Sequence, residues 1–96
     1  MTGTPVIDPF NYVGGLLAHG FYDESRQLLF VTNLWLNELD VISSIDLSVK
    51  ARIPVPVPAG IDQMADGATL VIGTEVQELV TVDENTFAVT ITSLLA

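Results

Sequence analysis

The 96-residue sequence contains no cysteine and only three basic residues, and these two scarcities exclude several classes of protein. Without cysteine there is neither a disulfide framework nor a cysteine metal site, and the redox compartment is left open. The three cations stand against 12 carboxylates, which gives a formal net charge of -9. Because nucleic acids are bound by cations that displace counterions from phosphates, the composition predicts no nucleic-acid partner.

Long apolar runs and an export signal are also missing from the sequence. Almost half of the residues (49%) are apolar. No run approaches the roughly 18 to 20 consecutive apolar residues of a transmembrane helix, so we expect no membrane span. Residues 1–5 lack a basic segment followed by an apolar stretch, so we expect no signal peptide within this chain, and the compartment is unknown.

Short apolar and β-branched runs, separated by polar residues or glycine, dominate the sequence. No segment has a sustained 3.6-residue apolar period with a cap at its start, so we predict essentially no helix. Asp66-Gly67 is the clearest hairpin turn, because both residues tolerate the positive φ that a tight turn requires. The runs predict eight strands, over residues 16–22, 28–32, 38–42, 51–57, 60–64, 69–73, 77–83 and 88–93.

An internal repeat groups the eight strands into two units of four. Residues 29–33 match the strand 41 positions later, and residues 38–41 match at the same offset of 41. Residues 51–53 match at an offset of 38, which predicts three extra residues in the last turn of the first unit, around residues 43–48. A period near 40 with four strands per unit is typical of propeller blades.

The sequence therefore predicts an all-β fold of two consecutive four-stranded antiparallel β-propeller-like blades. Three segments follow from the repeat: a lead-in arm over residues 1–15, blade 1 over residues 16–58 and blade 2 over residues 59–96.

Three motifs of the sequence resemble those of a known family. Leu29-Phe30-Val31-Thr32-Asn33 is similar to the strand that names the YVTN repeat of β-propellers. Residues 64–70 resemble the Ser-Pro-Asp-Gly-x-x-Leu hairpin of that family, and residues 52–55 with residues 59–61 resemble its crossover between blades. The resemblance covers roughly residues 18–94. It implies a propeller scaffold, often found in exported or cell-surface bacterial proteins and hence periplasmic or extracellular, with no single activity attached.

Two blades alone leave faces of the sheets without neighbours. Closed propellers use about 4 to 8 blades, so we expect a hydrophobic face at each end of the pair. Three arrangements would cover these faces: a longer chain of which this is a fragment, a ring of identical copies, or a minimal two-sheet sandwich. The predicted partners are therefore further propeller blades, either in cis or in a homo-oligomer.

Few residues are candidates for chemistry, and we predict no catalytic, cofactor-binding or metal-ligating residue. His19, the only histidine, could act as a base or ligand in a central channel, but a structural role is the favoured interpretation. Asp62 and Asp66, with Asp23 or Glu24, fall near strand ends where propellers gather calcium ligands, and turn capping is the favoured interpretation. No cofactor is predicted, and calcium is the one that the sequence leaves open.

One connection between strands is unusually apolar, and it is the predicted interaction surface. Leu34, Trp35 and Leu36 have no obvious partner within their own blade. Exposed aromatic side chains on loops are typical of interaction surfaces. The predicted function is therefore a non-catalytic repeat module acting as a scaffold or binding surface for a protein or small molecule of unknown identity. The alternative is a fragment of a propeller enzyme, lactonase-like or quinoprotein-like, whose catalytic residues lie in missing blades.

Overall fold

The computed structural model describes residues 17–95, which form eight β-strands and no helix. The predicted lead-in arm, residues 1–15, lies outside the described residues. Within residues 17–95 there is accordingly no helix that could span a membrane. The strands are β1 (Leu17–Asp23), β2 (Leu28–Asn33), β3 (Glu38–Ser43), β4 (Val49–Pro54), β5 (Pro58–Gln63), β6 (Thr69–Thr74), β7 (Glu78–Asp83) and β8 (Val89–Ser93).

The strands form two four-stranded sheets, with the orders β1-β2-β3-β4 and β5-β6-β7-β8. Every neighbouring pair within the two sheets is antiparallel. We call the first sheet blade 1 and the second blade 2. The predicted all-β fold of two consecutive four-stranded antiparallel blades is confirmed. The predicted turn at Asp66-Gly67 is also present, with Gly67 at a φ of 68° and its N–H bonded to the carbonyl of Met64 at 3.0 Å.

The fourth strand was predicted over residues 51–57, and the structure places it at Val49–Pro54. The chain leaves the sheet after Pro54, because the next two N–H groups bond to a turn of the same blade rather than to a strand. The N–H of Val55 donates to the carbonyl of Asn37 at 3.0 Å, and that of Val57 donates to the side-chain oxygen of Asn37 at 3.1 Å. The prolines at positions 54 and 58 are the last residue of β4 and the first of β5, both edge strands, where no central-ladder donor is needed.

The repeat is real, but two of its predicted offsets are wrong. β2 and β6 are related by 41 residues, whereas β3 and β7 are related by 40. The residue is lost in the connection between them, which spans residues 34–37 in blade 1 and residues 75–77 in blade 2. Turns absorb such differences more easily than strands do.

The three extra residues predicted around 43–48 do not exist. The β3–β4 and β7–β8 turns have the same length and equivalent backbone–backbone hydrogen bonds. Leu47 donates to the carbonyl of Ser43 at 2.8 Å, and Phe87, 40 residues later, donates to that of Asp83 at 2.7 Å. A further difference between the units is a bulge at Lys50 in β4, which β8 lacks.

The main hydrophobic core lies between the two blades. One face of blade 1 packs on one face of blade 2, and the buried side chains of the two faces form a single cluster. We call the contributing face of blade 1 its covered face; its apolar positions on β2, β3 and β4 are Leu28, Phe30, Leu39, Val41, Ala51 and Ile53. Blade 2 contributes Leu70, Ile72, Val80 and Val82, all fully buried. Because successive strand residues point to opposite faces, the alternate residues of blade 2 face away from blade 1.

This outer face of blade 2 differs from the hydrophobic end that the sequence predicted. By strand register, the covered-face positions of blade 1 correspond in blade 2 to Thr69, Val71, Leu79, Thr81, Thr90 and Thr92. Threonine thus replaces four of six apolar residues, and Val71 replaces Phe30. None of the six is fully buried. A threonine side chain tolerates water. Burying the outer face of blade 2 against another sheet is therefore less favourable than burying the corresponding face of blade 1.

Candidate functional site

The antiparallel order of the strands sorts the connections into two ends of the module. The crossover end carries the β2–β3 turn, the crossover at residues 55–57, the β6–β7 turn and the residues that follow β8. The acidic end carries the four remaining turns. Seven of the eleven acidic residues in the described part of the chain lie at the acidic end: Asp23, Glu24, Asp46, Asp62, Asp66, Asp83 and Glu84.

The predicted interaction surface is the β2–β3 turn at the crossover end. Trp35 is 71% exposed and Leu36 is 41% exposed, while Leu34 is half-buried. Tryptophan is highly buried on average, because its ring carries a large apolar area. This turn is also the one in which blade 1 has a residue more than blade 2.

The turn is held in one conformation by asparagine side chains at both of its ends. The side-chain oxygen of Asn33 accepts the N–H of Leu36 at 3.1 Å, and its NH₂ group donates to Asp40 at 3.2 Å. Asn37, with a φ of 54°, closes the turn and accepts the two N–H groups of the crossover. A polar scaffold of this kind fixes the backbone and leaves the Trp35 ring outside.

Further apolar side chains are exposed at the crossover end. Val76, in the β6–β7 turn, is 44% exposed, and Leu94 and Leu95, after β8, are 61% and 64% exposed. Hydrogen bonds join these segments, because the N–H of Glu75 donates to the carbonyl of Val57 at 3.0 Å and that of Leu94 donates to Gln77 at 2.8 Å. We call the five exposed apolar residues of this end the apolar rim: Trp35, Leu36, Val76, Leu94 and Leu95.

At the acidic end, most carboxylates cap turns. Asp66 accepts the N–H groups of Ala68 and Thr69 at 2.9 and 3.0 Å, together with the Thr69 hydroxyl at 2.7 Å. Asp83 accepts two backbone N–H groups of its own turn in the same way. These donors stabilise the ionised carboxylates, so the pKa values of both aspartates are lowered.

One group of polar side chains joins the two blades at the acidic end. The Arg26 guanidinium donates from Nη1 to Asp23 Oδ2 at 2.7 Å and to the Gly67 carbonyl at 2.9 Å. Its Nε donates to Asn85 Oδ1 at 3.0 Å. We call Asp23, Arg26, Gln63 and Glu84 the interblade polar cluster. Gln63 donates to Asp23, 40 residues away along the chain, and Arg26 lies 3.9 Å from Glu84, because the stacking of the blades places their turns together.

The two carboxyl groups of this cluster have opposite properties. Asp23 and Glu84 are 5% and 1% exposed, and they hydrogen-bond to each other. That bond, with further donors from Ser25 and Arg26, holds the pKa of Asp23 well below its usual range. Burial, followed by the bond to Asp23, raises the pKa of Glu84 to about 7, although Gln63 donates to it at 2.7 Å. Below about pH 7, Glu84 therefore keeps a proton that it can donate to ionised Asp23.

A second carboxyl pair lies on blade 1, on the face away from blade 2. Glu38 and Asp40 are neighbours on one face of β3, and Asp40 is fully buried. The hydrogen bond with Asp40, followed by burial, raises the pKa of Glu38 to about 7, and Arg52, 3.9 Å away, lowers it. Together the two pairs give a strongly acidic chain two carboxyl groups that titrate near neutral pH.

The candidate base and metal ligands named from the sequence do not form one site in the structure. His19 is exposed on β1, and its backbone N–H and carbonyl bond to the Thr32 hydroxyl at 3.0 and 3.2 Å. Asp62 lies within β5 and accepts the N–H of the next residue, Gln63, at 2.8 Å. Among residues 17–95 no three histidine, cysteine or acidic side chains lie close enough together to hold a metal ion. The aspartates proposed for calcium therefore do not converge on one point within the described chain.

The interblade polar cluster was missed by sequence reasoning. Arg26 offered the one available signal, because it is one of three cations in a chain of net charge -9 and lies between strands. Nothing in the sequence pairs it with Asn85, 59 positions away, since that contact depends on how the two blades are stacked.

The solved structures that are similar to this chain include two of one protein. Hsv2 of Kluyveromyces lactis superposes with a TM-score of 0.57 at 13% identity, over 83% of this chain and 25% of that chain. A variant of it with loop 6CD replaced by a Gly-Ser linker gives a TM-score of 0.56 at 15% identity, over 83% of this chain and 27% of that chain. No family model and no curated protein matches the sequence.

This similarity shows the fold alone, because sequence identities of 13% and 15% support no inference about function. Both similar structures are β-propeller proteins, and this chain spans about a quarter of the length of each. The chain consists of two consecutive four-stranded blades with a β-propeller-like fold.

Proposed function

We propose that the chain is a non-catalytic propeller module that acts by binding, and that its partner docks on the apolar rim. The observation that carries the proposal is the 71% exposure of Trp35 on a turn whose backbone is fixed by Asn33 and Asn37. Aromatic side chains held on a rigid backbone are typical binding anchors, because little side-chain entropy is lost when they are covered. Leu36 and Val76 are exposed at the same end of the module.

The negative charge of the chain indicates the chemical class of its partner. The crossover end carries Glu38, Glu75 and Glu78 near the rim, and the whole chain has a net charge of -9. A partner with apolar side chains among basic residues would complement both features. The proposal therefore takes a protein segment of that composition as the ligand in preference to a small molecule.

The substitution Trp35→Ala tests this proposal. Peptides are selected from a displayed random library on the immobilised full chain, and their affinities are measured by titration calorimetry. We expect Trp35→Ala to weaken binding by at least about tenfold, as loss of a central aromatic anchor does. We expect little change in Tm, because the ring is already exposed. Trp35 is the only tryptophan, so its fluorescence emission should also shift to the blue when a peptide covers it.

The matched control is Ile45→Ala at the acidic end of blade 1. Ile45 is 73% exposed, nearly the same as Trp35, and lies in a turn of the same blade. The proposal requires peptide affinity to be unchanged in this variant. Selected peptides that bind equally well to the Trp35→Ala chain and more weakly to the Ile45→Ala chain would place the binding surface at the wrong end.

No cofactor forms part of the proposal, and calcium is the ion to test. A ligand that binds only the folded state raises Tm with its concentration. Because Asp66 and Asp83 already accept two backbone N–H groups each, we expect millimolar calcium to leave Tm unchanged. Thermal unfolding with calcium and with magnesium, at equal ionic strength, measures this. A saturable rise with calcium alone would require a site to be added to the proposal.

The alternative function is a part of a propeller enzyme, lactonase-like or quinoprotein-like, whose catalytic groups lie in other blades. The observation that favours it is the length of the similar structures, of which this chain covers 27% and 25%. The resemblance to the YVTN repeat also supports further blades in cis, in an exported or cell-surface bacterial protein. Hydrolase and dehydrogenase activity in a longer chain carrying these two blades, absent from the same chain with the additional blades mutated, would support the enzyme over the binding module.

A further inference from the structure

The outer edges of the two blades are built differently. β4 is the edge strand of blade 1, and β8 is the corresponding edge strand of blade 2 within the described chain. Edge strands expose unpaired N–H and C=O groups, to which another strand can add. Natural proteins block such edges with lysine or arginine, proline, or a bulge. β4 and β8 can therefore be compared by the number of these blocking features that each strand carries.

β4 carries all of these blocking features. Lys50 is exposed and lies at the bulge where the register with β3 shifts. Arg52 has a side chain that is 53% exposed, and Pro54 ends the strand without an N–H. A strand approaching this edge would meet two cations and a twisted backbone.

β8 carries none of them. Its sequence is Val-Thr-Ile-Thr-Ser, all five residues are exposed, and its register with β7 is continuous. No residue from 85 to 95 has an ionisable side chain. By register Ile91 occupies the place that Arg52 has in blade 1, because they pair with the equivalent residues Val80 and Asp40. β-branched residues on an uncharged, regular edge favour strand addition.

The outer face of blade 2 offers the other route to association, and it is the less favourable one. A second blade stacked there would meet Thr81, Thr90 and Thr92 where blade 1 presents Val41, Ala51 and Ile53 to blade 2. Burying those hydroxyl groups without partners costs free energy.

We propose that β8 is a strand-addition site whose occupant is β8 of a second copy of this chain. Two copies of charge -9 repel each other, so they can approach only where charge is absent, and the edge of β8 is such a place. Antiparallel pairing about a twofold axis through Ile91 sets the acidic end of one copy beside the apolar residues Leu94 and Leu95 of the other. It therefore keeps the acidic ends apart, and it joins two four-stranded sheets into one of eight strands. The contact is isologous, so it closes at the dimer.

The test is the solution mass of the full chain by light scattering, over concentrations between about 5 and 500 µM, which span the dissociation constants of weak contacts. We expect the mass to rise from 10.3 kDa towards twice that value and no further. Added salt should strengthen the dimer, because it screens the repulsion between the copies. Hydrogen exchange of the β8 amides should become slower as the concentration increases.

The substitution Ile91→Arg gives blade 2 the residue that blocks the edge of blade 1. We expect the dissociation constant to rise by at least about tenfold. The side chain is 50% exposed, so the fold should accept it, and Ser93→Lys is a second blocking variant should the first unfold. The control is Thr81→Arg, which places the same charge on the outer face.

A dimer that is lost in Ile91→Arg and kept in Thr81→Arg supports strand addition through β8. A chain that stays at 10.3 kDa throughout overturns the proposal, as do a dimer that survives both blocking variants and growth beyond the dimer. Loss of the dimer in Thr81→Arg would show that the outer face is the contact and would also reject the edge.

Discussion

Replacing Phe30 by alanine is expected to lower the free energy of unfolding by about 3 to 5 kcal/mol, the usual cost of deleting a buried phenylalanine side chain. Phe30 is fully buried at the interface between the blades, where it is paired with Val41 on the covered face. A chain of this size has a total stability of only about 5 to 15 kcal/mol, so the variant should be largely unfolded at elevated temperature. Urea denaturation followed by circular dichroism measures the loss.

The repeat supplies a matched control for this substitution. Val71 is equivalent to Phe30 by the register of β2 and β6, but it lies on the outer face of blade 2 and is not fully buried. We expect Val71→Ala to cost below about 1.5 kcal/mol. Equal losses at the two positions, after allowance for the larger ring, would mean that the outer face is covered as well as the covered face of blade 1.

The strands were predictable because their signal is local. Period-two patterns of β-branched residues and turn residues such as Asp66-Gly67 depend on neighbours along the chain, and seven of the eight strands lie within two residues of the predicted places. β4 was displaced because Val55 and Val57 look like strand residues in sequence. Their N–H groups bond to Asn37, which a local pattern does not reveal.

Comparison of the two sequence units did not give the correct offset between β3 and β7. Matching Leu39 with Val80 aligned two apolar residues, but these side chains belong to opposite faces of their blades. A shift of one residue changes the face of every side chain in a strand, and apolar residues on both faces of a buried strand conceal that shift. The face of Leu39 became known only from its contacts in the core between the blades.

The exposed turn could be identified from local sequence, whereas the interblade polar cluster depends on how the blades stack. Leu34, Trp35 and Leu36 were identified because three apolar residues in a connection are unusual by themselves. Arg26 and Glu84 look like ordinary surface charges until the blades are stacked, when the turn of one meets the turn of the other. Whether the Trp35 turn binds a partner stays a prediction, since the sequence and the fold supply the surface and not its ligand.

Raising the pH from about 5 to 8 is expected to destabilise the chain, contrary to the usual behaviour of carboxylates. The pKa of Glu84 is raised from 4.5 to about 7 in the folded state, chiefly by burial and by the bond to Asp23. Between those values the folded state keeps a proton that the unfolded chain has released, so stability is fully present below pH 4.5 and decreases as the pH rises towards 7. Glu38, raised to about 7 beside Asp40, acts in the same direction.

Asp23 sets the opposite limit at low pH. Its pKa lies below the usual 3.8, so its contribution is present above that value and is lost as the pH falls through the lower folded value. Stability should therefore be highest near about pH 4 to 5, between the two windows. Each raised glutamate is expected to contribute about 1 to 2 kcal/mol of the decrease between pH 5 and 8, after allowance for relaxation and nearby cations. Urea midpoints measured across this range give the profile.

The substitution Glu84→Gln isolates the share of the interblade polar cluster. A glutamine keeps the shape of the protonated glutamate, can donate to Asp23 and can accept from Gln63, but it has no proton to lose. The variant should match the wild type at pH 5, exceed its stability at pH 8 and retain only the slope that Glu38 supplies. Glu75→Gln, in the exposed β6–β7 turn, removes the same formal charge and should leave the slope unchanged, so a general relief of repulsion is distinguished from the local effect. A Glu84→Gln chain with the full wild-type slope would show that Glu84 is already ionised between the blades at neutral pH, and that Arg26 alone balances both carboxylates there.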